Sequence, residues 1–239
     1  MHGRIFSVIL YTMTVVDDLI QQGILRTPRI VEAFRAVSRE NFVSEELRIE
    51  AELNAPLPIG HGQTISQPLT VAFMLELLEP QPGQKVLDIG AGSGWQTVLL
   101  AYIVSKQRTG DPAAERVRNG AGKGQGSGRV YAVERVPELC EFGKKNVAKY
   151  NFIEKGIVQW ICGDASGGLP EHAPYDRIIA AAAGETLPYA WKEQCAAGGI
   201  IVAPIQSSVW RFRKKDNGSW DEEEYPGFAF VPLIHPRSE

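Results

Sequence analysis

The chain has 239 residues, 44% of them hydrophobic, and 28 acidic against 25 basic side chains give a net charge of −3. That length holds one large domain, or one domain with extensions, around a core of useful size. The slightly acidic balance argues against a nucleic-acid partner held by phosphate electrostatics. No apolar run reaches the length of a membrane span, and no cluster of His, Cys and carboxylates has metal-ligand spacing, so neither membrane nor metal is expected.

Residues 5–16 are apolar enough to suggest the core of a secretion signal. However, Tyr11, Thr12 and Thr14 interrupt them and no small-residue cleavage site follows, so they read as the lead-in to a helix. A helix is predicted over 15–23, ended by Gly23. A second begins at Thr27-Pro28, with Thr27 as its cap and Ile30, Val31, Phe34 and Val37 at helical spacing. Prolines, glycines and polar residues over 56–68 predict a shaped loop, after which Pro68 opens a helix to Leu78. Hydroxyl and amide groups crowd this loop, which suits it to lie over a ligand crevice; a purely structural turn is the plainer alternative. His61 reads as a structural turn residue.

Val86-Leu87-Asp88-Ile89 has the pattern of a buried parallel strand. Gly90-Ala91-Gly92-Ser93-Gly94 follows as a turn, and a helix is predicted over 97–104. Strand, glycine turn and helix in that order build a nucleotide crevice at the carboxyl end of the strand. Trp95 stands where the G-x-G-x-x-G of dinucleotide sites needs its third glycine. A strand acid followed by G-x-G-x-G looks instead like the S-adenosylmethionine motif of class I methyltransferases, with an ordinary strand–turn–helix as the alternative.

Residues 105–128 hold six glycines and five basic residues without apolar periodicity, the composition of an inserted mobile loop. A nucleic-acid arm would carry aromatic residues, which this stretch lacks. Because the preceding helix returns to the opposite edge of the sheet, the insertion should lie away from the site. A strand over 129–134 ends in Glu134, placed to bind ribose hydroxyls. A helix over 137–150, a strand over 157–162 leading into Gly163-Asp164, and a strand over 175–183 follow. A helix is predicted over 187–196 and a strand over 200–205, then a closing pair of strands, 209–213 and 228–233, around a polar turn at 215–218. This alternation predicts an α/β fold with a mostly parallel sheet. Cys140, Cys162 and Cys195 show no C-x-x-C spacing and are odd in number, so reduced, buried thiols are expected.

Phe34-Arg35-Ala36-Val37, Phe42-Val43, the 56–68 loop and the 86–94 strand and turn together resemble the protein-L-isoaspartate (D-aspartate) O-methyltransferase family. So do Gly163-Asp164, Ala173-Pro174-Tyr175-Asp176 and Phe230-Val231-Pro232-Leu233, and the resemblance spans about 15–233. The Gly-x-Gly-Gln-Thr-Ile-Ser loop is more specific to this family than the glycine turn. The resemblance implies a class I S-adenosylmethionine-dependent methyltransferase fold: a mostly parallel twisted sheet with helices on both faces. An N-terminal helical region and loop over 1–80 would pack on a Rossmann-like core over 81–239, one structural domain closed by an antiparallel hairpin. It implies S-adenosyl-L-methionine as cofactor, held by Gln63, Thr64, Ile65, Asp88, Gly90, Ala91, Gly92, Ser93, Gly94, Glu134, Arg135, Asp164 and Ala165. Ile65, Ser66 and Val231 would meet the substrate, with Ser66 orienting it. The implied partners are isoaspartyl-containing peptides and proteins, methylated by a cytoplasmic monomer.

Two positions depart from the family pattern. Glu52-Leu53-Asn54 replaces Tyr-x-Asp, and Ala165 replaces a glycine. The first motivates a second reading, a carboxyl methyltransferase of the same fold dedicated to one peptide or protein. A non-catalytic isoaspartyl-binding module is the third; turnover of an isoaspartyl peptide separates them.

Overall fold

The computed structural model describes residues 13–106 and 128–233. Two helices, α1 (Val15–Gln21) and α2 (Pro28–Ala36), lead through two 3-10 turns to a short hairpin, β1 (Leu57–Gly60) and β2 (Gln63–Ile65). Then come α3 (Pro68–Leu78), β3 (Lys85–Ile89), α4 (Trp95–Ser105), β4 (Arg129–Glu134), α5 (Pro137–Ala148) and β5 (Val158–Cys162). The chain closes with β6 (Tyr175–Ala180), α6 (Tyr189–Gln194), β7 (Cys195–Ile205), β8 (Ser208–Lys214) and β9 (Trp220–Pro226).

Seven strands form one sheet in the order β5-β4-β3-β6-β7-β8-β9. The first five are parallel; β8 and β9 are antiparallel additions. Side chains alternate between two cores, as the pleat requires. Val86, Val130, Ile179 and Val202 join the core that α1 to α4 cover, while Leu87, Tyr131, Ile178 and Ile201 face the core closed by Trp191 of α6 and by Leu169. The sheet is thus buried on both faces, which is why its central strands read as unbroken apolar runs. The chain leaves β3 for β4 on one side and later crosses back to β6 on the other. A crevice opens at such a reversal, outside the carboxyl ends of the strands.

Several local expectations are corrected. The 56–68 loop contains a ribbon, with Leu57 opposite Ile65 and Pro58 opposite Thr64. A two-stranded ribbon has open edges, where a proline costs no ladder bond. Thr27 stands at the start of α2 but does not cap it; its hydroxyl donates to Glu76 Oε2 at 2.7 Å. The helix expected over 187–196 shrinks to the six residues of α6.

The closing hairpin pairs β8 with Trp220–Pro226, not with 228–233. Asp221, Glu222, Glu223 and Glu224, which the sequence reading assigned to no element, form most of the exposed edge strand. Charge on an edge strand blocks pairing with other chains. Cys140 and Cys162 are not reduced thiols: they form a disulfide between α5 and the end of β5, and only Cys195 is free and buried. Their separation of 22 residues hides a Cα–Cα distance of 5.6 Å.

Of the insertion expected over 105–128, residues 107–127 lie outside the described residues. Its flanks meet: Gly128 N–H donates to the Val104 carbonyl at 3.0 Å, and Arg129 N–H to Gln84 at 2.9 Å. That is the amino end of β3 and β4, opposite the crevice.

Candidate active site

The glycine turn between β3 and α4 is strapped to the neighbouring strand. Gly90 and Ala91 N–H both donate to the Val133 carbonyl, at 2.9 and 3.1 Å. Gly94 heads α4 with φ +85°, a left-handed conformation that favours glycine. A Cβ on Gly94 would also stand 2.6 Å from Val147 Cγ2 of α5. The approach is reciprocal, because a Cβ on Gly143 of α5 would stand 2.4 Å from the Gly92 carbonyl oxygen. Sequence reading missed Gly143; its signal was a lone glycine inside an otherwise good helix.

Asp88 does not face the crevice. It is fully buried beneath the turn, where its carboxylate accepts from Thr97 Oγ1 at 2.6 Å and from Gln96 Nε2 at 2.8 Å. Burial pushes its pKa up to about 6 against these two hydrogen bonds, and the nearby Glu134 charge adds to the rise. Glu134, by contrast, reaches the crevice from the end of β4. One oxygen accepts from Gly92 N–H and the other from Val136 N–H, both at 2.8 Å. The carboxylate is locked in direction, and each oxygen keeps a lone pair for a further donor.

A cavity of about 330 Å³ opens above these strand ends, within the range of about 300–1,000 Å³ usual for small-molecule sites. Gln63, Thr64, Ser66, Gly90, Gly92, Glu134, Arg135, Asp164, Ala165 and Val231 all line it. Ile65, Asp88, Ala91, Ser93 and Gly94 are not among its lining residues. Ile65 is buried at the foot of the hairpin, and Ser93 presents its carbonyl to Asn146 Nδ2 at 3.1 Å. Of residues 228–233, expected as a strand, 229–233 line the cavity instead. Ala183 N–H donates to the Val231 carbonyl and Leu233 N–H to Ala183, at 2.8 and 2.7 Å. Phe230 and Val231 therefore join Ser66 in the lining of the cavity. The Ser66 hydroxyl makes no hydrogen bond among the described residues, so no His or carboxylate is set to take its proton.

The family model for protein-L-isoaspartate(D-aspartate) O-methyltransferase matches residues 11–238. The chain belongs to that family. It is 42% identical over 226 residues to the protein-L-isoaspartate O-methyltransferase of Aeropyrum pernix, covering 93% of this chain and 78% of that one. It is 39% identical to that of Methanopyrus kandleri, over 92% of this chain and 89% of the relative. The fold matches the crystal structure of a Plasmodium falciparum protein described as a protein-L-isoaspartate O-methyltransferase, in complex with S-adenosyl-L-homocysteine. That match has a TM-score of 0.74 at 22% identity and covers 92% of this chain and 96% of the other.

Within the family, the two departures have local explanations. Asn54 Oδ1 accepts from Leu69 N–H at 3.0 Å and so caps the first turn of α3, whose own N-cap residue Gln67 makes no side-chain bond. Glu52 Oε2 accepts from Val15 N–H at 3.3 Å and ties down α1. Ala165 is absent from the residues with positive φ, so a side chain fits there without strain. Its carbonyl accepts from Trp191 Nε1 at 3.1 Å.

Proposed function

We propose that this protein transfers the methyl group of S-adenosyl-L-methionine to the free α-carboxyl of L-isoaspartyl and D-aspartyl residues in peptides and proteins, starting their repair through a succinimide. The observation that carries this reading is one cavity lined both by the family-specific Gln63-Thr64 and Ser66 and by Glu134 and Asp164. The cradle suits the cofactor: a glycine turn without side chains in the way, and a directed carboxylate whose free lone pairs match ribose hydroxyls. Bound there, S-adenosylmethionine supplies an electrophilic methyl on a sulfonium.

The chain's own task is alignment. A substrate carboxyl, which titrates at about pH 4 in an ordinary peptide, is already ionised at neutral pH. It therefore needs no base, in keeping with a Ser66 hydroxyl that has no hydrogen-bond partner among the described residues. Charge disappears as carboxylate and sulfonium become ester and thioether, which favours a site that excludes water. Ser66 donates a hydrogen bond to the carboxylate and fixes its approach. Val231 and Phe230 cover the substrate, and Asp164 with the Ala165 backbone faces the adenine. Asp88, Ala91, Ser93 and Gly94 act indirectly, by shaping the turn from below. The Glu52 and Asn54 contacts remove the motive for a dedicated substrate, since both residues are occupied in holding helices.

Among the described residues, no helix is long and apolar enough to cross a membrane. A cytoplasmic location would make the Cys140–Cys162 bridge an intracellular disulfide, which is rare outside oxidising compartments.

Incubation with methyl-labelled cofactor and an isoaspartyl peptide should give a base-labile methyl ester on that peptide and none on its aspartyl twin. Tight cofactor binding without ester on any isoaspartyl peptide would overturn this reading, in favour of a dedicated carboxyl methyltransferase if one other partner is methylated and of a binding module if none is.

A further inference from the structure

Arg39 lies in the 3-10 turn after α2 and is 3% exposed. Its Nη1 donates to the carbonyls of Ala51 at 3.0 Å and Leu53 at 3.2 Å. Its Nη2 donates to those of Ala55 at 2.8 Å and Ser66 at 3.2 Å. Each Nη carries two hydrogens, so the four carbonyls use all of them. Four acceptors in this array require a planar fork; the point charge of a lysine could not satisfy them. The guanidinium carbon also stands 5.5 Å from the centroid of the Trp95 ring. Trp95 is the first residue of α4, directly after Gly94, and its Nε1 donates to the Val37 carbonyl at 3.4 Å. One buried side chain therefore grips the backbone of Ser66 and packs on the residue that follows the glycine turn.

We propose that Arg39 is a positioning residue that registers the Ser66 lip over the glycine turn, acting on the substrate carboxylate through Ser66 and not by contact. This rests on the methyl-transfer reading above. The fork also gathers Ala51, Leu53 and Ala55, the stretch just before β1, so its loss frees the whole lip. The glycine turn and Glu134 keep their own straps, so cofactor binding should respond less than peptide binding, through Gln63 and Thr64 alone.

The test uses full-length Arg39→Lys, alone and combined with Ser66→Ala. Calorimetry should give a smaller loss of cofactor affinity than of peptide affinity in Arg39→Lys. The isoaspartyl peptide should bind about tenfold more weakly or worse, as expected for lost hydrogen bonds to a charged group. Because Arg39 acts through Ser66, the double variant should lose little more turnover than Ser66→Ala alone. Additive losses, or wild-type peptide affinity in folded Arg39→Lys, would overturn the proposal. Should Arg39→Lys not fold, Arg39→Gly refolded with guanidinium ion replaces it. Recovery of peptide binding as guanidinium is added supports positioning, whereas a folded protein without recovery, or no folding at all, shows a purely structural arginine. If the wild-type chain itself methylates no isoaspartyl peptide, the underlying reading fails, and Arg39 is then judged on peptide affinity alone.

Discussion

The two ends of the cavity are held in different ways. At the glycine turn, short bonds run to the adjacent strand and within the turn: Gly90 and Ala91 N–H to the Val133 carbonyl, Gly92 N–H to the Glu134 carboxylate, and Gly94 N–H to the Ala91 carbonyl. Buried side chains fill the space beneath it. The lip is a two-stranded ribbon outside the main sheet, joined by residues 227–233 from the far end of the chain. It hangs on the Arg39 fork, the Asn54 cap and two backbone bonds at Ala183. A ligand common to a whole fold class suits the rigid end, and a variable peptide suits a lip on loops. Damage to the first should therefore appear in cofactor binding and stability, and damage to the second in peptide kinetics.

The largest effect should come from Gly143→Ala. The added methyl would meet the Gly92 carbonyl and the Trp160 ring, at 2.4 and 2.6 Å, and neither is a flexible tip. Overpacking of that kind costs about 3 kcal/mol, read as a lower melting temperature and weaker cofactor binding by calorimetry. A folded variant with full cofactor affinity would break the contrast between the two ends.

Asp88→Asn sharpens the contrast through pH. The folded pKa of Asp88 is raised from 3.8 to about 6, so between those values the folded state keeps a proton that the unfolded chain releases. Stability thus falls as pH rises through that window, by about 2–3 kcal/mol, and levels off above it. Urea unfolding from pH 4 to 7 should show this fall in the wild type and lose it in Asp88→Asn. Parallel curves for the two proteins would mean that the buried carboxyl titrates normally.

At the lip, Ser66→Ala should cost one charge-assisted hydrogen bond, roughly 1.5–3 kcal/mol. That slows methyl transfer by about 10- to 150-fold, with cofactor affinity unchanged. Single-turnover labelling should find no methylated enzyme; a kinetically competent methyl-Ser66 would replace direct transfer with a two-step route.

The smallest effect is expected from replacing 107–127 with a short turn. Its flanks already meet at Val104 and Gly128, and closure entropy depends weakly on loop length. Turnover should stay within about twofold of wild type by that argument. A large loss in a folded protein would show that the segment reaches the site.

What the sequence determined by itself is local and periodic. β3, β4 and α3 were legible because apolar runs, Glu134 at a strand end and Pro68 at a helix start follow from neighbours a few residues apart. The Gln63–Ser66 lip was legible by resemblance. Tertiary structure decided everything that depends on partners far along the chain. Asp88 and Glu134 are both acids at strand ends, yet alternation and twist send one into the core and the other into the cavity. Asp221 to Glu224 became a strand because β8 offered a free edge, which no hydrophobic pattern announces. Cys140 met Cys162, Gly143 met Gly92, and Arg39 met Ser66 only when distant segments packed together. Side-chain identity fixes which groups can form such contacts, but their distance and direction are set by the packing of helices on a twisted sheet.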